Sequence, residues 1–559
     1  MAELSVSRKN IAKLFSEMRN KKYVIPEYQR PYDWDLEKCE TLWNDITSFF
    51  EEKSPEQEYF LGTIVSCKNE KNQSEIEVID GQQRITSLFL LLRAFYSKLE
   101  MMSEDINVRG LKSQIAPCIW DVDEISMVVN DKNKIHLESR VSTAQDNDVL
   151  QKILYSGKTE SGSAKSKYAE NYNFFFEKCE EYARTNPLKW QPLCVAILQS
   201  CIVLPIDCEK EDTALTIFNT LNDRGLPLAD SDIFKAQMYK NKEQAERQEF
   251  ATRWKELRES CEKAKIQLDD LFRYYSHYIR AIKKDKSKEI GLRRFYAENK
   301  YEKLKTPSFM DDLELLCGFW DELNNYRKDG QLKLSFEDLK YTQCLHNYPN
   351  DYWKYLASVY FLKHKDKPDF QKDFSVFLKK IISFLFSKFI ERPTVNAIRD
   401  DVFQGVIDLW ATGTVNFKYE MGKTFDAQLE NAYQTKIARG LILLHSYLNE
   451  KQDNLLPEDF EVEHIFPVKW QDTNYNGWTI EDAEEQLNRF GNKVAIEKRL
   501  NIQAGNGYFG KKKSKYAQSK IANVNDLARV AQNDWQKQDI EKRNAEFAEK
   551  LVSFFKENL

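Results

Sequence analysis

Residues 75–95 constrain the fold more than any other stretch of the chain. EIEVI alternates and reads as a strand. It runs through Asp80-Gly81-Gln82-Gln83-Arg84 into TSLFLLLRAF, an apolar helical segment. A strand that turns sharply into a helix leaves the first helical N–H groups unpaired, and these, with the helix dipole, attract anions. Gly81 lets the backbone turn tightly or approach a phosphate closely. Arg84 can grip phosphate oxygens as a fork, Gln82 and Gln83 add neutral donors, and Asp80 can cap the helix or face a metal. The same D-G-x-x-R pattern also occurs in ordinary turns, so its neighbours matter.

Upstream, YVIPEYQRPYDW is extended and punctuated by Pro26 and Pro31, and it carries Tyr28, Gln29 and Arg30. Tyr28, Tyr32 and Trp34 can stack on a base, although core packing is the commoner use of such rings. Residues 8–19 predict a short amphipathic helix (Ile11, Leu14, Phe15, Met18), and residues 35–50 a second (Leu36, Cys39, Leu42, Trp43, Ile46). YFLGTIVSC and CIVLPID read as strands, residues 168–185 as a helix, and 156–167 as an exposed polar loop. Asn222-Asp223-Arg224-Gly225 forms a polar turn between two helices. Residues 240–450 carry Leu, Phe, Tyr and Trp at helical spacing with few glycines, which predicts an all-helical domain.

A chain of 559 residues is too long for one core. Its net charge of −5 supplies no global attraction to nucleic acid, so any such attraction must be local. The start MAELSVSRKN carries no signal-peptide core. No apolar run approaches the roughly 20 residues a membrane span needs, so a cytoplasmic protein without membrane contact is expected. The ten cysteines end at Cys344 and include no C-x-x-C pair. They read as reduced core thiols, and a cysteine zinc site near the C-terminus is excluded.

IPEYQRPYDW, EVIDGQQRITSLFLLLRAF and IFNTLNDRGLPLADSDIFKAQ, in that order, resemble three hallmarks of the N-terminal domain of GmrSD-type modification-dependent restriction enzymes. That domain is similar to the ParB/sulfiredoxin group, whose loop binds nucleotide phosphates at a helix start. The resemblance covers roughly residues 8–240. It implies that Asp80, Gly81, Gln82, Gln83 and Arg84 contact a nucleoside triphosphate (GTP, UTP, CTP or ATP) and that Tyr28, Gln29 and Arg30 line the pocket. In this family hydrolysis is linked to control of cleavage.

A second constellation lies near the C-terminus. DFEVEHIF alternates as a strand that Pro467 ends. FGNKVAI reads as a second strand, and 497–503 as the start of a helix. Phosphodiester cleavage needs an activated water, a cation and stabilisation of developing charge. His464 is the natural general base, and Glu463 and Asn501 offer hard oxygen ligands suited to Mg²⁺. Asn492 can orient the loop or the imidazole. Between Arg489 and Lys520 nine basic residues face one acid, Glu497, a local charge of +8 that suits a phosphate backbone. Lys512 and Tyr516 lie one helical turn apart. The other five histidines have no comparable company.

E-H-I-x-P, G-N-K-V, R-L-N and N-G-Y-F-G-K-K-K-S-K-Y together resemble the HNH, or His-Me finger, nuclease domain that ends GmrSD-type proteins. The resemblance implies His464 as general base, Glu463 and Asn501 as ligands of Mg²⁺ or Mn²⁺, Asn492 as the structural Asn of the second strand, and Lys512 near phosphate. Lys493 stands where the family usually has an apolar residue. Glu461 can substitute for Glu463, since both would lie on one strand face.

The expected protein is multidomain α/β plus mainly α. A ParB/sulfiredoxin-like nucleotide-binding domain spans 1–240, a helical domain 241–450, and a ββα-metal nuclease domain 451–559. The implied activity is metal-dependent, triphosphate-regulated endonuclease cleavage of phage DNA with modified bases. A homodimer is compatible with the chain. The alternatives are a nucleotide-regulated DNA-binding or signalling NTPase with an inactive finger, a pure NTPase, and a nuclease acting on RNA.

Overall fold

The computed structural model describes residues 4–26, 29–52, 57–69, 72–141, 144–159, 166–209, 213–214, 217, 229–243, 245–287, 289–367, 370–470 and 478–559. The chain divides into two compact units, residues 1–253 and 254–559. The helical segment expected at 241–450 and the finger expected at 451–559 therefore lie mostly in the same unit. The protein is mainly helical with a small mixed sheet. Among the described residues no helix is long and apolar enough to cross a membrane.

Among the described residues the first unit has seven strands: β1 (Leu4–Val6), β2 (Lys9–Asn10), β3 (Lys22–Ile25), β4 (Tyr59–Lys68), β5 (Glu75–Asp80), β6 (Leu137–Ser139) and β7 (Cys201–Cys208). Their order is β1-β7-β4-β5-β3-β6, with β2 beside β1 on the same edge of β7. β4 runs parallel to β7 and antiparallel to β5, and β3 runs parallel to both β5 and β6. The helix expected over 8–19 is shorter, α1 (Ile11–Ser16), because Lys9 and Asn10 pair with Val203 and Ile202. Asn10 then caps α1 by accepting from the Lys13 N–H at 2.8 Å.

Helices α2 (Leu36–Glu52), α3 (Gln82–Glu100), α4 (Ile106–Ile119), α5 (Ala144–Ser156), α6 (Lys167–Thr185), α7 (Trp190–Ser200) and α8 (Asp230–Lys240) accompany the sheet among the described residues. The middle of α3, Leu88–Leu92, is apolar on every side, which suits a core helix. Leu88 to Leu92 are fully buried, and α3 packs against α4 and α6. Tyr32 is core too: its ring stacks on Tyr168 at 5.1 Å and its hydroxyl meets Ser87 and Asn171. The polar turn expected at 222–225 lies outside the described residues, as do residues 160–165 of the 156–167 loop.

In the second unit, aromatic side chains knit helices such as Leu268–Lys283, Phe309–Asn324, Tyr352–His364 and Phe370–Glu391 into one body. Phe319 stacks on Phe361 at 4.5 Å and Trp320 meets Trp353 edge-on. The C-terminal part is a hairpin of β8 (Glu461–His464) and β9 (Lys493–Ile496), then α9 (Lys498–Ala504), α10 (Phe509–Tyr516) and α11 (Lys537–Asn558). α11 packs on the Phe370–Glu391 helix and on the turn at Phe490–Asn492, tying the hairpin to the helical body. All ten cysteines are buried, in line with the reading as core thiols.

Candidate active site and nucleotide pocket

The turn after β5 forms as the sequence predicts. Gly81 takes φ +87°, in the left-handed region that favours glycine, and stands at the N-cap of α3. No side chain caps the helix there, so Asp80 is not its cap. Burial pushes the Asp80 carboxyl up, against the Gly81 N–H, Arg84 and Arg30, which stabilise its charge. Burial likewise pushes Arg84 down, with Asp80 the main opposing influence.

Two of the expected phosphate donors, Arg84 and Gln83, and the expected pocket residue Gln29 have protein partners. Arg84 donates to the Thr63 carbonyl at 2.9 Å. Gln83 donates to the Pro31 carbonyl and accepts from the Asp33 N–H, both at 2.8 Å, which clamps the extended segment onto α3. Gln29 donates to the Ile79 carbonyl at 3.0 Å, binding that segment to the end of β5. Gln82 is buried in the first turn of α3, and Arg30 is exposed. Tyr28 lies outside the described residues. Sequence reasoning missed Lys235 of α8, which is buried and donates to the Gln29 carbonyl at 3.1 Å. Its signal was present in the DSDIFKAQ tail of the third hallmark block.

In the second unit β8 and β9 pair antiparallel, with Glu463 opposite Val494 and His464 opposite Lys493. His464 is half-buried, and its Nε2 lies 3.3 Å from Asn488 Oδ1. Burial lowers the imidazole below its ordinary value; the Asn488 bond opposes this, and Lys493 and Lys512 add to it. Asn492 is fully buried. Its Oδ1 accepts from the Phe466 N–H at 2.7 Å, and its Nδ2 donates to the carbonyls of Phe466 and Leu487. It fastens the loop after β8 and makes no bond to the imidazole among these, so its place is that of a positioning residue.

The expected ligands divide differently. Asn501 donates to Glu461 at 2.5 Å, whereas Glu463 is bound by Lys512 at 2.7 Å and Tyr516 at 2.9 Å. Burial disfavours the charge on Glu463 and on Lys512 alike, and each sustains the other. Lys512, expected near phosphate, is 1% exposed, because α10 turns it inward onto β8. The basic stripe is thinner than its composition: Lys513 donates to the Val530 and Gln532 carbonyls, and Arg489 pairs with Glu485 at 3.0 Å. Lys498, Arg499, Lys511 and Lys520 remain exposed. Among the described residues no three His, Cys, Asp or Glu side chains form a group able to hold a metal ion. The oxygen donors present, carboxylates and one amide, are of the kind a hard divalent cation prefers.

Residues 11–239 match the family of the GmrSD restriction endonuclease N-terminal domain, and residues 420–550 match that of the GmrSD restriction endonuclease C-terminal domain. No curated protein matches the chain.

Proposed function

The chain belongs to the GmrSD restriction endonuclease family, and we propose that it cuts foreign DNA with the β8–β9 finger under the control of a nucleoside triphosphate bound at the start of α3. The family assigns it to the restriction endonucleases and makes DNA its substrate. The finger is read as an HNH, or His-Me, nuclease, and the first unit as a ParB-like nucleotide domain. The observation that carries the reading is His464 at the end of β8, with the next loop fastened by the buried Asn492, inside the residues that match the C-terminal family.

His464 would take the proton of the attacking water, which requires the neutral ring that burial favours. Asn492 holds the backbone that follows it. A Mg²⁺ or Mn²⁺ ion, held by the oxygens of Glu461 or Glu463 with Asn501, would stabilise the charge that builds on the phosphate. The exposed Lys498, Arg499, Lys511 and Lys520 would receive the DNA backbone. In the first unit the free N–H groups of α3, Gln82 and the exposed Arg30 remain to meet a triphosphate.

The test is cleavage of modified and unmodified phage genomes by the full chain with Mg²⁺, with and without each triphosphate. Cutting that prefers modified DNA, responds to triphosphate and disappears in His464→Ala is the expected result. Equal cutting by His464→Ala, or no cutting under any condition, would overturn the reading.

A further inference from the structure

A cavity of about 310 Å³ opens between the helix Ala438–Tyr447, the helix Ala522–Ala528 and α11, wholly within the second unit. Leu527, Val530 and Trp535 supply its apolar wall, and the rest of the lining is polar or charged. Its volume is at the low end for ligand pockets, with room for a small molecule and not for a duplex.

A relay of amides fixes what the cavity presents. The Lys451 N–H donates to Asn449 Oδ1 at 3.0 Å, which turns Asn449 Nδ2 toward Asn523 Oδ1 at 2.8 Å. Asn523 Nδ2 is thereby left to donate to His445 Nδ1 at 3.2 Å. An Nδ1 that accepts carries no proton, so the neutral ring bears its proton on Nε2. His445 lines the cavity and is 7% exposed. Its Nε2–H has no protein partner among the described residues and is not sealed off from the cavity.

Arg543 is half-committed in the same way. Its Nη1 takes the carbonyls of Phe490, Gly491 and Lys493, while its Nε and Nη2 have no protein partner among the described residues. Lys542 and Lys550 also line the cavity, both exposed, and neither pairs with an acid among the described residues. The acids of the lining are mostly spoken for. Asp526 is held by Lys451 at 2.8 Å and by Asn449, and Asp539 accepts from the Gln536 N–H at the start of α11 and from Gln532. Glu546 is left, and it forms no ion pair with Arg543, Lys542 or Lys550. The uncommitted groups are therefore donors and cations facing a single acid, which suits an acceptor-rich anion. A carboxylate brings two oxygens to such a set, and a terminal phosphate brings three.

We propose that this cavity is an effector site for a phosphate monoester, with Arg543 Nε and Nη2 and the His445 Nε2–H as its donors and Lys542 and Lys550 at its rim. Because Nη1 of the same guanidinium holds the turn that opens β9, an occupied site braces that turn and, through β9, the strand that carries His464. The site stands independently of what the finger cuts.

The experiment is hydrogen exchange of the full chain at residues 490–496 and 537–547. It is titrated with inorganic phosphate, with a 5′-mononucleotide, and with a single-stranded oligonucleotide that carries or lacks a 5′-phosphate. The local readout keeps an anion at the start of α3 from counting. Protection that saturates with phosphate or mononucleotide assigns a free phosphate, and protection by the 5′-phosphorylated strand alone assigns a strand end; the site holds in either case. Lys550→Gln should weaken binding about threefold and Glu546→Gln should strengthen it about threefold, both at exposed positions that leave melting unchanged. His445→Phe keeps a ring against Phe547 and should weaken binding about tenfold by removing one donor. No protection by any of these ligands, equal protection by the unphosphorylated strand, or an affinity that none of the three variants moves would overturn the proposal.

Discussion

The guanidinium of Arg84 fills the space that a side chain at residue 62 would need. A Cβ on Gly62 would lie 2.9 Å from Arg84 Cζ, and Gly62 itself sits at φ +113°, where L residues are strained. The β4 bulge beside Gly62 is thus shaped around the arginine that follows β5.

Gly62→Ala should therefore destabilise the protein by roughly 1–3 kcal/mol of backbone strain, plus the cost of moving Arg84 from the Thr63 carbonyl. Arg84→Ala in the same chain empties the contested space. The double variant should then lose less than the sum of the two single losses, by about 1 kcal/mol. Strict additivity in urea unfolding would show that the two residues do not compete.

Much of the N-terminal unit was legible because its signals are local. Residues 75–95 declare strand, turn and helix through alternation and then continuous apolarity, and all three form. What stayed hidden depends on partners far along the chain. Lys9 and Asn10 read as helix because their strand pairing lies with residues about 200 positions away, on β7. Gln83 reads as a phosphate donor and Gln29 as a pocket residue, yet their partners are backbone groups about 50 positions away. Lys511-Lys512-Lys513 reads as one solvated run, but a helix separates its faces. The spacing of Phe509, Lys512 and Tyr516 marks the buried one, which puts Lys512 on Glu463.

The Asn492 clamp predicts a loss that shape alone does not repair. Asn492→Ala leaves the Phe466 N–H and two buried carbonyls without their partner, a cost of about 3 kcal/mol in total. Asn492→Asp keeps the acceptor but turns a carboxylate oxygen toward the carbonyls of Phe466 and Leu487, so it should melt no higher than the alanine variant. A melting temperature for Asn492→Asp close to wild type would show that the amide is not the fastener.

Stability should also fall in mild acid, and His346 gives part of the reason. Its Nδ1 accepts from the Tyr326 hydroxyl at 2.9 Å and its Nε2 donates to Asn324 Oδ1 at 3.0 Å, an arrangement that needs the neutral ring. Burial holds its pKa down to about 3, against an ordinary 6.5. Above 6.5 the folded and unfolded states are both neutral, and His346 adds no pH dependence. Between 6.5 and 3 only the unfolded state takes the proton, so stability declines by about 1.4 kcal/mol per pH unit as pH falls. His346→Gln should flatten urea-unfolding stability between pH 6.5 and 5 by about that slope. Parallel curves for the two proteins would remove His346 from the account.

Arg543 of α11 supports the finger from behind. One guanidinium nitrogen donates to the carbonyls of Phe490, Gly491 and Lys493, at 3.0, 3.0 and 2.7 Å, while the Gly491 N–H donates to Asn544 at 3.3 Å. These carbonyls flank Asn492 and open β9, so the contact reaches the strand that pairs with His464. Burial lowers the guanidinium pKa to about 10, which still leaves it charged at neutral pH. Arg543→Met would relieve the burial of that charge but leave three carbonyls without their donor. Charge-assisted bonds are worth about 1.5–3 kcal/mol each, and desolvation returns part of that, so a net loss of about 2–4 kcal/mol is expected. Arg543→Lys keeps the charge without the fixed fork and should fall between the two. Hydrogen exchange at residues 490–496 should rise in the order wild type, lysine, methionine. A methionine variant as protected and as stable as wild type would mean that α11 holds the turn through packing, and that the guanidinium contributes nothing to it.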